Sequence, residues 1–133
     1  MSTTKVSARW TGEELKFIGT DGGGHQINLS KDEFRPAQLL LLGLAGCTGM
    51  DVVSILQKKR QKITSLEIQI TGQQPDDYPK PYQIIEVHFI VKGENIDPDA
   101  VGRAIGLSES KYCIVSQTLQ HTPEIKTSYS VEN

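Results

Sequence analysis

The sequence predicts an α+β fold in which strand runs are kept apart from helix runs. Three observations carry this. Alternating apolar and polar residues mark short strands on both sides of the chain's centre. One long apolar stretch, Arg35 to Arg60, reads as a single helix. Asp97-Pro98 and Ser108 open two shorter helices, and a last alternating run follows Pro123. The predicted order is β-β-β-α-β-β-α-α-β, in one domain covering residues 1–133.

Val6, Ala8 and Trp10 alternate with Lys5, Ser7 and Arg9, the period of a half-buried strand. Leu15, Phe17 and Gly19 repeat the pattern. The run Asp21-Gly22-Gly23-Gly24 is a strong turn signal, and His25, Ile27 and Leu29 follow as a third strand, so residues 4–29 predict an antiparallel meander. Ser30-x-x-Glu33 resembles a capping box, yet Pro36 suits the first position of the main helix, where its missing N–H is no loss. Lys58, Lys59 and Arg60 stand where a helix C-terminus favours positive charge. Between these ends Leu39 to Leu42, Leu44, Met50, Val52, Val53, Ile55 and Leu56 point in nearly every direction, which predicts a helix buried around most of its girth. At about 1.5 Å per residue it is about 37 Å long, more than a domain of this size readily encloses alone. That mismatch suggests a second subunit.

Beyond the helix, Leu66, Ile68 and Ile70 alternate as a strand, and three prolines and two aspartates between Gln73 and Pro81 mark an exposed loop. Ile85, Val87, Phe89 and Val91 form the next strand, which carries apolar residues on both faces. Asp97 caps a helix with Val101, Ala104 and Ile105 on its apolar side. Ser108 reads as the cap of a last helix, Glu109 to about Leu119. Ile125, Thr127, Tyr129 and Val131 predict the closing strand.

A chain of 133 residues can bury a core without staples. Its net charge of −2 favours neither nucleic acid nor an anionic membrane. The first ten residues lack the apolar region of a secretion signal, and the apolar run from Leu39 is broken by Thr48, Gly49 and Asp51, so neither export nor a membrane span is expected. The expectation is a cytoplasmic protein whose two cysteines are reduced at rest.

Those cysteines are the residues most able to carry chemistry. Cys47 stands in the middle of the long helix beside Gly43, Gly46 and Gly49. Each glycine costs roughly 1 kcal/mol in a helix. Either another helix approaches closely or space is kept beside the thiol. A buried cysteine is in most proteins an inert hydrophobe. Cys113 falls in the first turns of the last predicted helix, where the dipole favours a thiolate. Sequence spacing does not show whether the two sulfurs meet. Asp51 lies one turn after Cys47 and, in an apolar helix, requires a polar partner. Its plain reading is a core or interface hydrogen bond; its sharper reading is a group that tunes Cys47 or anchors an arginine. A carboxylate alone raises a thiol's pKa, so activation calls for a cation, for which Arg9 and Arg35 are the candidates. His25, His88 and His121 are scattered, with no metal-ligand spacing, and no cofactor motif is present.

The segment Pro36-Ala37-Gln38-Leu39-Leu40-Leu41-Leu42-Gly43-Leu44-Ala45-Gly46-Cys47 resembles the OsmC/Ohr family of thiol-dependent hydroperoxide reductases, as does Ser110-Lys111-Tyr112-Cys113. The stretch from Asp51 to Lys58 is similar to a less characterised OsmC-like subgroup, and the resemblance covers nearly the whole chain. It implies an intertwined homodimer with two long central helices flanked by antiparallel sheets. It also implies that Cys47 attacks an organic hydroperoxide, becoming a sulfenic acid, that Cys113 resolves it as a disulfide, and that an external dithiol reduces the disulfide. Two departures stand out. Ala37 occupies the place where the family's peroxidases carry a glutamate, and around Gln26, where the arginine held by that glutamate is expected, there is none. Rival implications are a dimer that binds an apolar small molecule without catalysis, and a disulfide switch.

Overall fold

The computed structural model describes residues 1–132 and contains two compact units, Met1–Leu42 and the chain from Gly43 onward. In the first, β1 (Ser7–Trp10), β2 (Phe17–Thr20) and β3 (Gln26–Leu29) form an antiparallel sheet in the order β1-β2-β3. Its registers run from Ser7 opposite Thr20 and from Phe17 opposite Leu29, so the meander forms as the alternation predicts. The second turn is built by Asp21, whose carboxylate accepts from the backbone N–H groups of Gly23 (2.9 Å) and His25 (2.8 Å). Gly24 takes φ +85°, a conformation that a side chain would strain. Trp10 is exposed, and its ring N–H donates to the Glu14 carbonyl at 2.9 Å. Ser30 does not cap the long helix; its hydroxyl accepts from Asp32 N–H within a separate turn.

The long helix, α1, spans Pro36–Lys58. Pro36 opens it, and the Gln38 side chain reaches back to accept the Arg35 N–H at 3.0 Å, half of a reciprocal capping arrangement. At the far end Arg60 adopts φ +57°. The Arg60 and Gln61 N–H groups then donate to the Gln57 and Leu56 carbonyls, the double bond pattern that closes a helix through a left-handed residue.

The second unit contains the rest of the structured chain. Strands β4 (Lys62–Gln73) and β5 (Ile84–Glu94) pair antiparallel over nearly their whole length, with an irregularity between Ile63 and Ser65. They run longer than the apolar alternation alone marks, because polar residues at both ends remain in the ladder. Helix α2 (Pro98–Leu107) starts as predicted, with the Asp97 carboxylate accepting from Asp99 N–H at 3.0 Å. Its Ala100 and Ala104 pack with Val52 and Leu56 of α1 into a core that Ile63, Leu66 and Phe89 complete.

Three expectations need correction. First, the chain does not bury α1 around its girth. Burial follows one stripe, Leu44, Thr48, Val52 and Leu56, at the four-residue spacing of a single helix face. Met50, in contrast, is 77 % exposed. The leucine-rich sequence is apolar on every side, but one chain has only one surface to set against it. Second, α1 is long and apolar enough to cross a bilayer by length and composition, with mean hydropathy 2.0 over its most apolar window. Thr48 and Asp51 do not interrupt the helix, so they do not shorten that stretch. The core helix of a water-soluble protein meets the same criterion. Third, Ile125–Val131 form no strand: residues 122–132 have no regular structure, and Ile125, Tyr129 and Val131 are exposed. Alternation prepares a segment for a ladder, but a strand exists only where an edge pairs with it.

Truncating Leu56, which is fully buried, to alanine removes the centre of the α1–α2 contact. We expect Leu56→Ala to lower unfolding free energy by about 2–5 kcal/mol in urea denaturation followed by circular dichroism. A loss below about 1 kcal/mol contradicts this packing.

Candidate functional site

The site is built where α1 meets the segment that follows α2. That segment differs from the predicted helix. Ser108–Tyr112 form a single π-helical turn, closed by the Cys113 N–H donating to the Ser108 carbonyl at 2.8 Å. Helix α3 is shorter than expected, Ile114–Gln120, and its cap is Cys113, not Ser108. The Cys113 sulfur accepts the Ser116 N–H at 3.4 Å. A π turn inserts one residue into a helical path and often marks a functional segment. Here it separates α2 from α3 and delivers Cys113 to a fully buried position.

Cys47 is half-buried on α1, and both cysteines are free thiols. The fold brings them into proximity: Cys47 lies close enough to Cys113 to act on its thiol. Burial pushes the Cys113 thiol above its ordinary pKa, and the adjoining Cys47 thiol adds to the rise, while the Ser116 N–H opposes it. At neutral pH Cys113 therefore holds its proton.

The glycines of α1 divide into two roles. A Cβ on Gly49 would lie 2.9 Å from the Ile68 tip on β4, so Gly49 serves close packing. Gly43 and Gly46 meet nothing within 4 Å and leave open space on the helix surface.

Asp51 has a hydroxyl as its partner: the Ser108 Oγ–H donates to Asp51 Oδ2 at 2.9 Å. Because that hydrogen is committed to the carboxylate, the Thr48 hydroxyl donates to Ser108 Oγ at 2.8 Å. Thr48 and Ser108 are buried, so the chain Thr48–Ser108–Asp51 satisfies the polar groups that α1 and the π turn bury together. The arginines are engaged or exposed elsewhere. Arg9 is exposed on β1, and Arg35 Nε donates to the Lys31 carbonyl at 3.3 Å. Among the described residues no ion pair links an arginine to Asp51. Sequence reasoning missed Thr48 and assigned Ser108 to the wrong cap. The available signal was the pairing of Thr48 with Asp51 one turn apart in an otherwise apolar helix.

A cleft of ≈ 580 Å³ opens beside this network. Apolar residues such as Leu44, Phe89 and Leu119 share its wall with His88, Glu109 and Gln120, and Thr48 and Ser116 bring the immediate surroundings of the two cysteines to its edge. Its size and mixed lining suit a small organic molecule.

A family model described as OsmC-like protein matches residues 29–128. Protein YhfA of Escherichia coli (strain K12) is 38 % identical over 131 residues, covering 96 % of this chain and 97 % of its own. A hypothetical protein from Aquifex aeolicus VF5 superposes with a TM-score of 0.83 at 30 % identity, covering 90 % of this chain and 89 % of that one. The organic hydroperoxide resistance protein OhrB of Bacillus subtilis shares the fold, with a TM-score of 0.60 at 18 % identity and coverage of 91 % and 93 %.

The different settings of the two thiols have a measurable consequence. Iodoacetamide at pH 8 is expected to label Cys47 well before Cys113. Because the Cys113 pKa is raised, its labelling should keep accelerating with pH above the ordinary thiol range of about 8.5. Peptide mass spectrometry reads both rates, and faster labelling of Cys113 than of free cysteine at pH 8 contradicts the buried, protonated thiol.

Proposed function

The chain belongs to the OsmC-like family, and on that premise we propose that it is a thiol-dependent redox protein that reduces organic hydroperoxides through Cys47 and Cys113. The observation that carries the proposal is the meeting of the two thiols at the end of a π turn. In this reading the Cys47 thiolate attacks the distal peroxide oxygen. The O–O bond breaks, the alkoxide leaves and takes a proton as the alcohol, and Cys47 becomes a sulfenic acid. Cys113 then attacks the Cys47 sulfur, water departs, and a disulfide closes. An external dithiol reverses this bond by exchange, giving back two thiols and carrying away two electrons' worth of oxidation. The apolar part of the cleft, from Leu44, Phe89 and Leu119, supports an alkyl hydroperoxide over hydrogen peroxide.

Among the described residues no arginine–carboxylate pair of the family kind stands beside Cys47. Ala37 cannot hold a guanidinium, and Asp51 is engaged by Ser108. The proposed enzyme therefore runs its first step without the electrostatic support that a neighbouring cation gives a nucleophilic thiol. Arg9 and Arg35 are the candidates for a supporting charge. No cofactor or metal is part of the proposal.

We further propose a homodimer of single OsmC-like domains in the cytoplasm, where free thiols persist. The uncovered apolar face of α1, including Met50, and the unpaired alternating segment 122–131 support a second copy.

Two experiments test these statements. With cumene hydroperoxide and excess dithiol, the protein should consume peroxide catalytically. Cys47→Ser should abolish consumption, and Cys113→Ser should halt after one equivalent with a dimedone-trappable sulfenic acid. One equivalent consumed by the native protein without turnover marks a switch, and no thiol loss together with retained binding of an apolar ligand marks a binder. For assembly, Met50→Glu should convert a dimer to a monomer in light scattering, and a monomeric native protein refutes the proposed dimer.

A further inference from the structure

The hydroxyl chain Thr48–Ser108–Asp51 joins the elements that carry the two cysteines. Thr48 follows Cys47 directly, and Asp51 lies one turn beyond it. Ser108 sits 60 and 57 positions away from them, fully buried, and touches both through one oxygen. The same residue holds Cys113 through its backbone, since its carbonyl accepts the Cys113 N–H at 2.8 Å. One residue thus ties α1 at Cys47 to the backbone of Cys113. The next residue in the turn is fixed from the other side. The Glu109 carbonyl accepts from Gln117 Nε2 (2.8 Å) and Gln120 Nε2 (3.2 Å) of α3. The first two residues of the π turn are therefore anchored on opposite sides, to α1 through Ser108 and to α3 through Glu109.

We propose that Ser108, clamped by Asp51 and Thr48, is a positioning residue that fixes the backbone of Cys113 relative to the Cys47 helix and so sets the rate of disulfide closure. This rests on the thiol-pair reading of the site but not on hydroperoxide as the oxidant. Ser108 touches no reacting atom; it acts through the turn that carries Cys113. Closure requires a narrow geometry at both sulfurs, so a small displacement of the turn slows it steeply.

Diamide separates closure from peroxide chemistry. One thiolate adds to its N=N bond, and the second thiol displaces that sulfur's bond to nitrogen, giving the disulfide and the hydrazine, with two electrons and two protons taken up by the diazene. At saturating diamide the second step is unimolecular and reports closure alone. Ser108→Ala and Thr48→Val should each slow it about tenfold or more, while the first, bimolecular addition stays within about twofold of native. Thr48→Ser, which keeps the hydroxyl, should close at the native rate. Leu56→Val, which weakens the core without touching the network, should lose stability and keep native closure; this distinguishes positioning from general loosening. Equal closure rates for the native protein, Ser108→Ala and Thr48→Val overturn the inference, as does a native protein that forms no Cys47–Cys113 disulfide. A slowed closure in these variants without any hydroperoxide turnover in the native protein sinks the peroxidase reading and upholds this one. Turnover with closure unaffected by the variants does the reverse.

Discussion

Helix α1 carries two incompatible demands, and the site follows from how they are met. Its leucines and valines drive burial, and the Val52–Leu56 part of its buried stripe anchors the core against α2. Yet the same helix carries Thr48, which is buried, and Asp51, which is half-buried, and both need hydrogen-bond partners there. Ser108 answers both with a single hydroxyl. To present that hydroxyl, the chain leaves α2 through a π turn and does not continue the helix. The turn then delivers Cys113 beside Cys47. Satisfying two buried polar groups and bringing two thiols together are thus one structural event.

The energetic weight of this arrangement is uneven. Apolar contacts of Leu56 and Val52 supply stability, whereas the hydroxyl chain supplies register. A net contribution of about 1 kcal/mol per neutral hydrogen bond is small beside the burial of a leucine, but an orphaned Asp51 or Thr48 would cost more than the bond itself gains. The network therefore selects one docking of the π turn over neighbouring ones. Cys113 gains burial from the same docking, and with it a proton retained at neutral pH. Such a thiol suits the second step of a redox cycle, in which it waits for an oxidised neighbour, better than the first.

Gly43 and Gly46 face open space, and Met50 is exposed, although nothing in their chemistry favours water. The C-terminal segment likewise has the alternation of a strand and no ladder. Both features support the second copy of the chain proposed above.

Much of this protein was legible before its structure. The meander followed from alternation and the Asp21–Gly24 turn, α1 from its apolar length between Pro36 and the basic end, and α2 from Asp97-Pro98, because each depends on local geometry and on side chains close in sequence. The two cysteine motifs and the family they resemble were legible for the same reason. Tertiary structure alone decided the rest. Asp51 takes a hydroxyl from a residue 57 positions away, Ser108 abandons a helix cap for that contact, and Cys113 becomes a cap in its place. Ile125–Val131 has the pattern of a strand but forms none. Periodicity records what a segment can bury; which surface it buries against, and which buried polar atoms must then find each other, is settled only when distant parts of the chain compete for the same space.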